Sequence, residues 1–139
     1  MNRALVIVDT NVVVAGLLTS RDTSPVARVL DNMLRAALPF VVSEALLAEY
    51  HAVLVRPGLR KLHGLTVSEV ESLLTTLARH AIVLAPAKAA AAPDPGDQLL
   101  WDLLAARADL ILVTGDKRLL QAPGMSGRVI TPHAFWGCE

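Results

Sequence analysis

LVIVDTN, residues 5–11, is an aliphatic run that stops at a carboxylate. With Ala4 it forms the continuous, β-branched stretch ALVIV (4–8) expected of a strand covered on both faces. The pattern returns as LILVTGD at 110–116, where Asp116 lies three residues past Val113. In open parallel sheets ligands bind beyond the carboxyl ends of the strands, so Asp9 and Asp116 both belong at that edge. A helix cap or a turn is the alternative reading of each.

Weaker strand signals stand between and after these two, PFVVS at 39–43, AIVLA at 81–85 and RVIT at 128–131. Helical spacing fills the gaps. Val26, Val29, Leu30, Met33 and Leu34 follow a Ser-Pro start and predict a helix over 24–38. Ser43 caps a second helix to about Leu54, which Arg56-Pro57-Gly58 ends. TVSE opens a third over 66–80, with Glu69 at the capping-box spacing from Thr66. Asp94-Pro95 opens a fourth, to about Ala108. Alternating strands and helices predict an α/β fold of three layers, α/β/α, around a central, mainly parallel sheet. The alanine-rich APAKAAAAPDPG (85–96), closed by prolines at both ends, reads as a connecting loop.

A chain of 139 residues is expected to form a single domain, 1–139. Its hydrophobic share, 53% against 19% charged, excludes disorder, and no apolar run approaches the roughly 18 residues of a membrane span. The first apolar run meets Asp9 without a small-residue cleavage site, so no signal peptide is predicted and a cytoplasmic location is expected. Cys138 is the only cysteine, which excludes an intramolecular disulfide and a cysteine-based metal cluster. Thirteen basic residues balance thirteen acidic ones, so nucleic acid would have to be met by a local patch. Walker, dinucleotide-binding, serine-hydrolase and HExxH patterns are all missing, and the four histidines read as surface or capping residues.

The acids carry the chemistry. Glu49 borders the core stripe of its helix with Ala45, Leu46, Ala52 and Val53 as neighbours, none of them basic. It is either a site residue or a solvated charge at the stripe's edge. Glu44, in the first turn, reads as a dipole partner. In DPGDQLLWDLLAA (94–106) Asp94 suits a cap, Asp97 borders the Leu99, Leu100, Leu103, Leu104 stripe, and Asp102 turns away as a surface charge. Four carboxylates at one edge raise one another's pKa unless cations neutralise them. All-oxygen ligands suit Mg²⁺ or Mn²⁺, which polarise phosphoryl groups and activate water. The chemistry indicated is phosphodiester hydrolysis.

VDTNVVVAGLL (8–18), VSEALLAEYHAVLVRP (42–57) and DPGDQLLWDLLAARADLILVTGDKRLL (94–120), in that order, resemble the PIN-domain ribonucleases, especially the small VapC-like toxins of bacterial toxin–antitoxin systems. The resemblance implies a Mg²⁺- or Mn²⁺-dependent ribonuclease with Asp9, Glu49, Asp97 and Asp116 as catalytic, metal-binding acids. It also implies supporting roles for Asn11, Asp94 and Thr114, an antitoxin protein as partner, and a homodimer. Gln98 departs from the asparagine more usual at its position. One or two metal ions would serve in-line attack by water, with no protein nucleophile.

RNA approaching such a pocket needs cations for its flanking phosphates. Candidates are Arg56, Arg60 and Lys61 in VRPGLRKLHG, and Lys117 and Arg118 beside Asp116; ordinary solvated charge is the competing reading of each. Trp101 and Trp136 read as packing residues rather than base-stacking platforms. A phosphatase with Asp9 as nucleophile would want a second aspartate where Asn11 stands. A non-catalytic PIN-like interaction module is the alternative from a different class, and metal binding separates it from the nuclease.

Overall fold

The computed structural model describes residues 5–122 and 128–137; Cys138 lies outside them. The elements run β1 (Leu5–Val8), α1 (Thr10–Leu18), α2 (Pro25–Leu34), β2 (Val41–Val42), α3 (Glu44–Leu54), α4 (Pro57–His63), α5 (Val67–His80) and β3 (Ile82–Val83). A 3₁₀ turn (Pro95–Asp97) leads into α6 (Gln98–Leu104), followed by β4 (Leu110–Val113), α7 (Lys117–Leu120), β5 (Val129–Ile130) and α8 (Pro132–Gly137).

Every described strand pairing is parallel: β1 with β4, β4 with β5, and β2 with β3. A single parallel bridge from Val6 to Phe40 joins the two groups, giving the order β3-β2-β1-β4-β5. The chain builds outward from β1 through β2 to β3, then crosses to β4 on the other side of β1. The carboxyl ends of β1 and β4 therefore form a topological switch point, the place where a parallel sheet opens a crevice. The fold is the expected three-layer α/β/α arrangement around a parallel sheet.

Both long strand signals are strands for the reason the sequence suggests. Val6, Ile7, Val8, Leu110, Leu112 and Val113 are wholly buried, so neither face of β1 or β4 needs a polar residue. Trp101 lies in the same core as Tyr50, Phe40 and Leu103, and Trp136 packs partly buried against it, beside Phe135. Ser24 caps α2 at the Ala27 N–H, Ser43 caps α3 at the Leu46 N–H, and Thr66 with Glu69 closes a reciprocal capping box on α5. Glu44 occupies the first turn of α3 as expected.

The departures have local causes. The predicted 24–38 helix stops at Leu34, because Ala36 takes a left-handed φ of 57° and turns the chain toward β2. Pro57 does not merely end α3: it occupies the first position of α4, where its fixed φ and missing N–H suit a helix start. The helix opened by Asp94-Pro95 divides into the 3₁₀ turn and α6, and it ends at Leu104 rather than near Ala108. Asp102 is not a free surface charge. Its carboxylate accepts from the Ala89 N–H (3.1 Å) and the Gln98 amide (3.0 Å), while Gln98 itself bonds Ala90 and Ala92. The two side chains tie the alanine-rich loop to α6.

α1 crosses α2 at Gly16. A Cβ there would stand 2.8 Å from the Val26 carbonyl oxygen and 2.9 Å from the Leu30 Cβ, neither of which is a side-chain tip free to move. Alanine improves helix propensity by about 1 kcal/mol, against an overpacking cost of about 1–3 kcal/mol. Gly16→Ala is expected to lower the urea unfolding midpoint, with a net loss on the order of 1–2 kcal/mol. An unchanged midpoint would show that the helices separate freely.

Candidate active site

The site follows from the β1–β4 register. Val8 stands opposite Val113, so the next residues, Asp9 and Thr114, emerge side by side at the carboxyl end of the sheet. The Asp9 N–H continues the ladder to the Val113 carbonyl at 3.0 Å. The Thr114 hydroxyl, wholly buried, donates to Asp9 Oδ2 at 2.7 Å, and its oxygen accepts the Asp116 N–H at 3.0 Å. One buried hydroxyl thus links the acid that follows β1 to the acid that follows β4.

Asp9 holds the N-cap position of α1, yet its carboxylate makes no capping hydrogen bond. The same holds for Asp97 at the N-cap of α6. The cap reading therefore does not account for either carboxylate. It does account for part of Asp116, whose Oδ1 accepts the Arg118 N–H at the start of α7, and of Asp94, whose Oδ1 accepts the Gly96 N–H. Arg118 also lies 3.4 Å from Asp94 Oδ2 and 3.7 Å from Asp116 Oδ1, a bridge between the two.

Glu49 arrives from α3. Below it the fully buried Tyr50 donates its hydroxyl to the Val8 carbonyl, which fastens α3 under the end of β1. Burial, with the charges of Asp9 and Glu49 nearby, pushes the phenol well up and keeps it a neutral donor. The Thr10 hydroxyl donates to the Glu49 carboxylate through a short contact. Thr10 is a positioning residue that sequence reasoning missed; its place inside DTN, next to the chosen acid, was the available signal.

Asp9, Glu49, Asp97 and Asp116 line one cleft of about 540 Å³, together with Thr10, Asn11 and Arg56. The rest of its lining is apolar, built by Val14, Ala15 and Leu18 of α1, Val53 of α3 and Leu59 of α4. Asp94 supports the rim through Arg118 and does not line the cleft. Lys117 is exposed beside Asp116, and Lys61 lines a neighbouring cleft with Arg60. His51 pairs with Glu71, His63 and His80 bond backbone carbonyls, and His133 is exposed; none lines the acid cleft.

Electrostatics sets these acids apart. Burial drives the Asp9 carboxyl up to about 6, the Thr114 hydrogen bond opposes the rise, and the Asp97 and Glu49 charges add to it. Asp97 is also raised, first by burial, then by Asp116 and Asp94, with Arg118 acting against them. Arg118 offsets Asp116 in part, while Asp9, Glu49 and Asp97 have no ion-pair partner among the described residues. Among the described residues no three Asp, Glu, His or Cys side chains are already gathered closely enough to hold a metal ion together. The acids share a cleft without forming a closed cage.

No curated protein matches the chain with significant similarity. A sequence profile of the PIN domain matches residues 5–118, from the start of β1 into α7, a span that contains all four cleft acids. The chain therefore belongs to the PIN-domain family, whose members are generally nucleases.

Proposed function

We propose that this chain is a Mg²⁺- or Mn²⁺-dependent endoribonuclease, acting in the cytoplasm as the toxin of a toxin–antitoxin pair. The observation that carries the enzymatic reading is the acid cleft. Four carboxylates from four separate segments line one cleft at the switch point of a parallel sheet, and Asp9 and Asp97 are both raised from their ordinary values.

The donor set fits a hard divalent ion. It is all oxygen, its acids outnumber the cations beside them, and Mg²⁺ keeps several waters while taking only one or two carboxylates directly, so a closed cage is not needed. Asp9, Glu49, Asp97 and Asp116 would hold it. When bound, such an ion supplies Lewis-acid polarisation of a phosphoryl group and activation of water. The chain's own residues do the positioning: Thr114 orients the Asp9 carboxylate and Thr10 that of Glu49. Arg56 places positive charge at the cleft for a phosphate, and Asn11 adds a neutral polar group. Thr10 is the only hydroxyl among the described lining residues and is committed to Glu49, so a water nucleophile suits the cleft best.

The test is cleavage of a mixed RNA pool in Mg²⁺, Mn²⁺ or EDTA by the wild type, Asp9→Asn and Asp116→Asn, purified identically. Metal-dependent cleavage by the wild type alone is expected. The second reading is a non-catalytic interaction module that keeps the PIN-like fold. That reading takes over if the three proteins behave alike and calorimetry finds no Mn²⁺ binding. The toxin role, antitoxin and homodimer rest on the family resemblance, with exposed Leu62, Ile82 and Val83 offering apolar surface for partners. Growth arrest by the wild type but not by Asp116→Asn, and a dimer by light scattering, are the expected results. No helix among the described residues is long and apolar enough to cross a membrane.

A further inference from the structure

Helix α4 separates two clefts of opposite character. Arg56 and Leu59 line the acid cleft, whereas Pro57, Arg60 and Lys61, with Gly64, Leu65 and Thr66, line a second cleft of about 390 Å³. The second cleft has two cations and no acid in its lining. From Tyr50 to Ser68 the sequence contains no acidic residue at all, a local basic stretch in a chain of zero formal net charge.

These cations are not absorbed by the fold. Arg118 and Arg107 form ion pairs with aspartates, but Arg56, Arg60 and Lys61 have no ion-pair partner among the described residues. The Nε of Arg60 is buried and has no hydrogen-bond partner. A buried N–H without an acceptor is costly, and this arginine is not held in place by a hydrogen bond at its Nε. The cleft is also held in shape. His63 Nε2 donates to the Leu54 carbonyl at 2.9 Å while its Nδ1 accepts the Leu65 N–H at 3.0 Å, which ties the lining loop to the end of α3.

We propose that the Arg60–Lys61 cleft is a second nucleic-acid subsite, holding a backbone phosphate of the strand whose scissile bond lies in the acid cleft. A guanidinium beside an ammonium is the donor set of a phosphate site, and neither group reads a base. From Arg56 to Lys61 the helix rises about 7.5 Å, so a strand leaving the acid cleft over Arg56 meets the second pair of cations directly. The pairing of the two clefts on one strand rests on the nuclease reading; phosphate binding at Arg60 and Lys61 does not.

The probe is a short, fluorescein-labelled single-stranded RNA of mixed sequence, followed by anisotropy in EDTA across about 50 to 200 mM salt. Arg60→Gln/Lys61→Gln is expected to bind about tenfold more weakly, with a slope of log affinity against log salt shallower by about 0.7 to 1.4. Lys61→Glu, at an exposed position, is expected to weaken binding several-fold while leaving the partly buried Arg60 in place. Lys88→Gln, another exposed cation, controls for net charge. In cleavage assays the double variant should raise KM about tenfold and leave kcat unchanged. The subsite is overturned if the wild type binds no RNA at low salt, or if both variants bind like Lys88→Gln. A wild type that cleaves no RNA, with the binding loss intact, defeats the nuclease reading and leaves the phosphate site standing. Cleavage with unaltered affinity and KM does the reverse.

Discussion

Asp9→Asn is expected to abolish metal-dependent RNA cleavage and, in the same molecule, to stabilise the metal-free fold at neutral pH. The two effects share one cause. The Asp9 carboxyl is held near 6 against an ordinary 3.8, mainly by burial. The folded chain therefore binds a proton at Asp9 more tightly than the unfolded chain does. Between about pH 4 and 6 stability falls as pH rises, and above 6 the penalty is complete, on the order of 3 kcal/mol. Asparagine removes the ionisation yet keeps an oxygen that can accept the Thr114 hydroxyl.

In EDTA at pH 7.5 the variant should unfold at higher urea than the wild type, by on the order of 2–3 kcal/mol. The advantage should shrink to under about 1 kcal/mol near pH 4 and vanish below about pH 3, where the wild-type carboxyl is protonated in both states. Millimolar Mg²⁺ should raise the wild-type midpoint and leave that of the variant nearly unchanged. Cleavage should fall by more than the roughly 100-fold that losing an outer-shell partner costs. Equal stabilities at pH 7.5 in EDTA would mean that Asp9 is already compensated, and the case for a cation at this acid would lose its main support.

Asp9 was legible in the sequence because the aliphatic run before it leaves no doubt where the strand ends, and a strand end fixes one edge of the sheet. Glu49 was legible for a weaker reason, the absence of any basic neighbour on its helix. What the sequence could not supply was the strand order, since nothing in LILV says that it lies beside LVIV rather than beside VV at 41–42. The Asp9–Thr114 bond and the switch point both depend on that order. α1 went unread because VVVAGLL is apolar all round and β-branched at its start, so it has no helical stripe to detect. α4 went unread because Arg56-Pro57-Gly58 carries the same residues whether a helix ends there or another begins. That second omission matters most for function. α4 supplies Leu59 to the acid cleft and Arg60 and Lys61 to the cleft beside it, so the basic residues noticed in the sequence had no placement until the helix was seen.

Thr114→Val should weaken both the fold and the chemistry, and the pH dependence separates the two roles of the hydroxyl. Valine keeps the shape of a wholly buried side chain but can neither donate to Asp9 nor accept the Asp116 N–H. Two groups are left unsatisfied, at a cost of about 1–3 kcal/mol for a buried donor or acceptor. The lost donor is one that favours the charged form of Asp9, so the carboxyl rises further above its already raised value. Destabilisation should then be larger at pH 7.5 than near pH 5, where Asp9 is largely protonated in the folded chain and the hydrogen bond matters less. If ionised Asp9 is the form that works, the acid limb of the pH–rate profile should move to higher pH, with cleavage at neutral pH down about 10- to 100-fold. Thr114→Ser retains the hydroxyl and should restore the limb even where its smaller side chain leaves the core looser. A valine variant with the wild-type acid limb and a uniformly lower rate would reduce Thr114 to a packing residue, and the link between the acids of β1 and β4 would carry no catalytic weight.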